Sequence, residues 1–272
     1  MAINQEGNGE DGAMTDDRNE RAGILLHAKH ALMPNKLGYC GPDDRGEILR
    51  HLQDSETSPK LLKLLKSFDA AYPFINLIGK STGKDPFDYR VPEAYWIGND
   101  LLAHVSAPDF YTFSHATLKN RKRSEVKKVF KTLGPRAMPH HSFYVMSTYA
   151  TSSVADGPSA STDSAKKIGA LIDNCRISLG RVTKVGRKDL TVSYRPVGLE
   201  GGRLEMLAPR TKKVAYESAV RPFGSVKAGD WVSLHWDFAC DVLSLTQARN
   251  LTKFTSADLA AANELLKRLH SR

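Results

Sequence analysis

Residues 174–182 read NCRISLGRV, and the chain changes texture there. Upstream, from about residue 23 to 150, apolar residues recur at helical spacing. Downstream come RISLGRVTKV, LTVSYRPV, RLEMLAPRTKKVAY and DWVSLHWDFACDVL, short segments rich in β-branched and aromatic residues and separated by Gly, Lys, Asp and Arg turns. Several short strands within about 70 residues predict a small antiparallel β-barrel. Cys175 stands at its threshold and admits two readings, a small buried hydrophobe or a working thiolate.

Outward from that point the plan is α+β. Residues 1–22 are polar and acidic and are expected to form a disordered tail. Residues 23–150 form a helical domain. AGILLHAKHALM is apolar all round and predicts a buried helix ending at Pro34 and Gly38. SPKLLKLLKSF opens with Ser58 as N-cap and Pro59 at the first helical position. Residues 151–170, rich in Ser, Ala, Gly and Asp, read as a linker. Residues 171–272 hold the barrel and a C-terminal helix, TSADLAAANELLKRLHSR, capped by Thr255 or Ser256.

Composition narrows the function classes. Three well-separated cysteines without a CxxC pair point to a reducing cytoplasm rather than a disulfide framework. No apolar run approaches the roughly 18 residues a membrane span needs, and the N-terminus is no secretory signal. The net charge of +9 is concentrated in LKNRKRSEVKKVFK (118–131). This is either a nucleic-acid patch or the solvated face of a helix whose stripe is Leu118, Val126, Val129, Phe130 and Leu133. No zinc finger, helix-turn-helix or RNA-binding aromatic signature accompanies it. LIGKSTGK (77–84) lacks the first glycine of a P-loop, whose place is held by Phe74. There is no G-x-S-x-G elbow, no G-x-G-x-x-G fingerprint and no H-E-x-x-H helix.

Three polar clusters in the helical half are candidates for chemistry. HALMPNKLGYCGPDD (30–44) packs Gly and Pro around Tyr39 and Cys40. MPHHSFYV (138–145) carries His140 and His141, which on an extended segment point opposite ways, so one of them at most joins a given site. VPEAYWIGND (91–100) adds Glu93, with Trp96 and Asn99 on the same helical face. Tyr39, Cys40, Glu93, His140 and His141 are the candidate catalytic residues of a pocket between helical domain and barrel. Structural turns and satisfied polar groups are the alternative reading.

The barrel segments carry a resemblance. Cys175, Gly180 and Val182, followed by Gly229, Asp230, Trp231, Val232 and His235, resemble the two ends of the HypC/HupF chaperones of [NiFe]-hydrogenase maturation over residues 173–250. Here Cys175 is internal rather than next to the initiator Met, Leu179 replaces the usual Pro, and VGLEGGRLEMLAPR is an insert. The resemblance implies an OB-like barrel, an accessory function, and iron bound through Cys175. A thiolate suits low-spin Fe(II) and imidazole is a common second ligand, which makes Cys175 and His235 the candidate metal pair. It also implies a protein partner, a metalloenzyme subunit or maturation factor. MPNKLGYCGPDD, DPFDYRVPEAYWIGN, PHHSF, NCRIS and VSLHWD together look like a family of bacterial and archaeal proteins without known function, spanning nearly the whole chain. The leading expectation is thus a metal-binding accessory protein. An enzyme acting on a small-molecule substrate is second and a nucleic-acid-binding module third.

Overall fold

A computed structural model of the protein describes residues 8–43, 46–118, 122–153, 162–220 and 223–270. The helical half comprises α1 (Asn8–Lys36), α2 (Glu47–Asp54), α3 (Pro59–Lys66), α4 (Tyr72–Thr82), α5 (Arg90–Trp96), α6 (Ala107–Thr117), α7 (Arg123–Leu133) and α8 (His141–Ser153). α9 (Thr162–Cys175) leads into seven strands: β1 (Ser178–Val185), β2 (Asp189–Tyr194), β3 (Val197–Glu200), β4 (Arg203–Met206), β5 (Arg210–Ala215), β6 (Trp231–His235) and β7 (Phe238–Leu243). α10 (Leu245–His270) closes the chain.

Several boundaries differ from expectation. α1 begins at Asn8, so most of the stretch read as a tail is helical; residues 1–7 lie outside the described residues. The linker reading of 151–170 falls partly on α8 and α9, and its middle, 154–161, lies outside the described residues. Ser58 caps α3 as expected, its Oγ accepting from Leu61 N at 3.2 Å. Thr255 and Ser256 instead sit inside α10, which starts ten residues earlier. Its first turn is closed reciprocally: Ser244 Oγ accepts from Gln247 N (3.2 Å) and Gln247 Oε1 accepts from Ser244 N (2.9 Å). No helix among the described residues is long and apolar enough to cross a membrane.

The barrel is closed in the order β1-β2-β5-β7-β6, with β6 returning to β1. It is not wholly antiparallel, because β5 and β7 run parallel and meet at one pair, Ala215↔Phe238. The insert forms its own hairpin, β3–β4, outside the barrel. Val182, Leu190, Val192, Val214, Val232, Leu234 and Ala239 fill the barrel interior. The strand period of two sends their neighbours the other way. Ile177, Phe238, Cys240 and Leu243 join one core with Ile24, Leu32, Phe74, Trp96 and Leu251, so barrel and helices share a continuous hydrophobic interior. Cys240 is a core residue, as its apolar strand implies.

One polar bolt fixes the halves together and a second braces the barrel half itself. Lys29 on α1 pairs with Asp241 on β7 at 2.8 Å. The buried Arg176 donates to Asp173 Oδ1 (2.8 Å) and Arg195 O (2.8 Å), while Val197 N donates to the same Asp173 oxygen, tying the end of α9 to the strands. The packing is tight enough to test. Gly98 has φ +92°, and a Cβ there would lie 2.2 Å from the Phe254 ring of α10. Gly98→Ala is expected to cost about 3 kcal/mol, from the left-handed backbone and the overpacked ring together, read as a shift in the denaturant midpoint.

Candidate metal centre

His141, Cys175 and His235 meet where the helical layer faces the barrel. One potential ligand atom from each lies within 4.8 Å of the others. Their positions follow from local structure. His235 ends β6, and the alternation that sends Val232 and Leu234 into the barrel turns Ser233 and His235 towards the helices. Cys175 is the last residue of α9, not the first of a strand. His141 is the first residue of α8 and donates Nε2–H to Cys175 O at 2.9 Å, satisfying a carbonyl that the end of α9 would leave open.

Each imidazole has a defined partner. His235 donates Nδ1–H to the backbone O of His30 (2.8 Å), which leaves a bare lone pair on Nε2. Among the described residues that buried atom has no partner at hydrogen-bond distance. His141 Nδ1 lies 3.1 Å from Tyr95 Oη, and the Tyr95 hydroxyl has a second acceptor, Ala70 O, at 2.8 Å. Turning that proton to Ala70 frees the Nδ1 lone pair. His30 in turn bonds Ser233 Oγ through Nε2 (3.0 Å) and stacks on Trp96, whose ring also faces His141 and His235.

Burial sets the protonation states. It lowers His235 to about 4 and His30 to about 3, and takes His141 well below the ordinary imidazole value, with the neighbouring His235 adding to that shift. It raises the Cys175 thiol to about 12, against a smaller opposing effect from the Trp236 indole. A nearby imidazolium would lower a thiol, and here the shift runs the other way. The imidazoles are neutral, and burial outweighs them. Neutral imidazoles beside a protonated thiol are donors waiting for a cation, since a bound metal ion would favour the thiolate that burial disfavours.

Trp236 reaches the site in an unexpected way. Strand alternation places it opposite His235, but Trp236 and Asp237 form the β6–β7 turn at φ +52° and +56°. Both residues are left-handed where Asn-Gly would be usual. Trp236 N donates to Asn174 O (2.8 Å), and the buried indole Nε1, with no partner at ordinary hydrogen-bond distance, acts on the Cys175 sulfur. Tyr39, 64 % exposed, stacks on Trp236 with ring centroids 4.3 Å apart.

A family model matches residues 19–269. The chain belongs to DUF6390, a family of unknown function. No curated protein and no solved structure matches it.

The other expected site residues divide. Cys40 is half-buried in the loop after α1, where Asn35 Nδ2 holds Cys40 O and Pro42 O; its thiol is raised by burial and couples electrostatically to Tyr95 and Cys175. It borders the cluster. Glu93 does not join it: its carboxylate accepts from Asn99 and Gln247 (2.8 and 2.9 Å) and braces α5 against α10. His140 also turns away, to a 2.6 Å contact with Asp258. The histidines do part, as expected, but at the start of a helix rather than on an extended strand. The basic helix presents Lys127, Lys128 and Lys131 to solvent over a buried Val126, Val129 and Leu133, as the solvated-face reading has it; Lys119 and Arg121 lie outside the described residues. Tyr95, His30 and Trp236 had no sequence signal of their own beyond standing within stretches already notable for polar residues among apolar ones.

Proposed function

We propose that the protein is a metal-handling accessory protein that holds low-spin Fe(II) as cargo on Cys175, His141 and His235. The observation that carries this is the convergence of one thiol and two neutral imidazoles from three different elements, with the buried Nε2 of His235 left unpartnered. The donor chemistry fits iron of that spin state, which accepts thiolate and imidazole together. Neighbouring ligand atoms around a six-coordinate low-spin Fe(II) are about 3 Å apart, so closing the cluster from within 4.8 Å needs side-chain movements of about 1 Å by each partner rather than a refolded site. The relation to hydrogenase maturation chaperones draws support from the strand order, which is 1-2-3-5-4 once the β3–β4 insert is set aside, the order of an OB-like barrel. It draws further support from the cysteine lying just before the first barrel strand and the histidine at the end of the fourth.

An enzyme that uses Cys175 as nucleophile fits less well. Such a cysteine needs a thiolate paired with an imidazolium, whereas burial drives both groups to their neutral forms. The large cleft is lined by residues 165–266 alone, rather than by both halves of the chain.

Protein prepared without oxygen or added metal, then exposed to Fe(II), is expected to retain about one equivalent. Cys175→Ser is expected to lower the affinity by at least about 100-fold while melting near the wild-type temperature. Because uptake expels the thiol proton, affinity should rise by up to about tenfold per pH unit between pH 6 and 8. Retention of iron by Cys175→Ser and His235→Ala alike, or a pH-independent affinity, would overturn the reading.

A further inference from the structure

An open cleft of about 1280 Å³ lies between α9, the β3–β4 hairpin and β5. It exceeds the roughly 300–1,000 Å³ of a small-molecule pocket. One wall is β5. Its first edge is fully paired with β2, from Asp189↔Ala215 to Tyr194↔Arg210. Its second edge meets β7 only at Ala215, whose N–H donates to Asp237 O at 2.9 Å. By the two-residue period, the backbone N–H and C=O of Thr211 and Lys213 point the same way as those of Ala215. Among the described residues no backbone bond takes them up. The barrel therefore closes between β5 and β7 at that one pair, and the β7-facing edge of β5 runs unpaired along Arg210–Val214 for about 17 Å.

The cleft is also basic. Lys212 is neutralised by Asp237 at 2.7 Å and Asp173 by Arg176 at 2.8 Å. Lys166, Arg210 and Lys213 line it with no ion pair among the described residues, against Glu200 alone. A row of open backbone donors and acceptors beside three uncompensated cations is a template for one kind of occupant.

We infer that this cleft binds an extended acidic segment of a partner protein, which adds to β5 as a further strand. Main-chain bonds to Thr211 and Lys213 supply the register, and acidic side chains meet Lys166, Arg210 and Lys213. Asn174 and Asp237 line the cleft; Asn174 precedes the cluster residue Cys175, and Asp237 follows Trp236, whose indole reaches the Cys175 sulfur. The segment therefore docks beside the cargo site. The inference names the partner of the proposed function and rests on that reading only for what the partner receives; the docking itself is independent of the metal.

The test is selection of a displayed random ten-residue peptide library against the full chain. Enriched sequences are expected to alternate and to be acidic. A synthetic copy of the best should slow amide exchange at Thr211 and Lys213 by at least about tenfold. Reversing charge with Arg210→Glu and Lys213→Glu, both at exposed positions, should weaken it by at least about tenfold. Cys175→Ser should bind it unchanged, so loss of iron and loss of peptide are scored separately. Failure to enrich any acidic sequence, unaltered exchange at those two amides, or a cleft that takes inorganic phosphate but no peptide would each overturn the inference. The lysines would then serve only to keep a bare edge from self-pairing.

Discussion

Between pH 7 and pH 5 three buried histidines are expected to withdraw about 6 kcal/mol of stability from the fold. His27, His30 and His235 have pKa values of about 4, 3 and 4 in the fold, because burial disfavours their charged forms. In the unfolded chain they titrate near 6.5. Below 6.5 the unfolded state takes up protons that the native state refuses until about pH 4, so stability falls with falling pH across that window. Each of the three contributes about 2 kcal/mol between pH 7 and 5, and His141 acts in the same direction. Asp241 and Asp258 act oppositely, since burial raises both carboxyls, but they are fewer. For a domain whose whole stability is about 5–15 kcal/mol, this should lower Tm by roughly 10–20 °C. A melting temperature that stays flat from pH 7 to 5 would mean that these imidazoles are not buried neutral, and the donor state of the metal cluster would go with it. Saturation with Fe(II) should oppose the acid loss at neutral pH and fail to do so once the histidine ligands compete with protons.

The second large effect lies away from the cluster. His140 Nδ1 and Asp258 Oδ2 are 2.6 Å apart, both without solvent exposure, where the start of α8 packs on α10. Among the described residues His140 Nε2 and Asp258 Oδ1 have no hydrogen-bond partner. Asp258→Ala leaves the imidazole N–H buried and unanswered, at an expected cost of about 1–3 kcal/mol. The double change His140→Phe with Asp258→Leu removes both polar groups at similar volume and should recover most of that loss. Denaturant midpoints of the two variants decide it. A single variant within about 1 kcal/mol of wild type would show that the pair does not hold the helices together. Iron binding should survive in the double variant, because His140 is outside the ligand set.

Much of this architecture was legible in one dimension. The helix-to-strand change around 174–182, the N-cap at Ser58 with Pro59, the solvated face of the basic helix and the core position of Cys240 all follow from local chemistry and periodicity. The nearness of Cys175 and His235 did not follow from local chemistry; it was expected only from the family resemblance of two segments some 60 residues apart, and the structure places the two side chains in one cluster. Helix capping in α10 was harder: Ser244 and Gln247 carry the capping signal, yet Thr255 and Ser256 resemble a cap equally well, and only the run of backbone hydrogen bonds from Leu245 onward separates them. Glu93 could not be placed by spacing, because its partner Gln247 is more than 150 residues away, on α10.

Which residues alternate, which faces are apolar and where the chain must turn can be read along the chain, because each depends on neighbours within a few positions. Tertiary structure alone decided which side chains meet. The third member of the cluster was chosen between His140 and His141 by the rotation at which α8 begins. That rotation gave His140 to Asp258 and His141 to Cys175 O. Trp236 came to the sulfur through a left-handed turn that its residue type does not favour, held by Asn174 O and the Tyr39 ring. The thiol was pushed up rather than down because the cost of charging a buried sulfur depends on everything packed around it, and that sum is written nowhere along the chain.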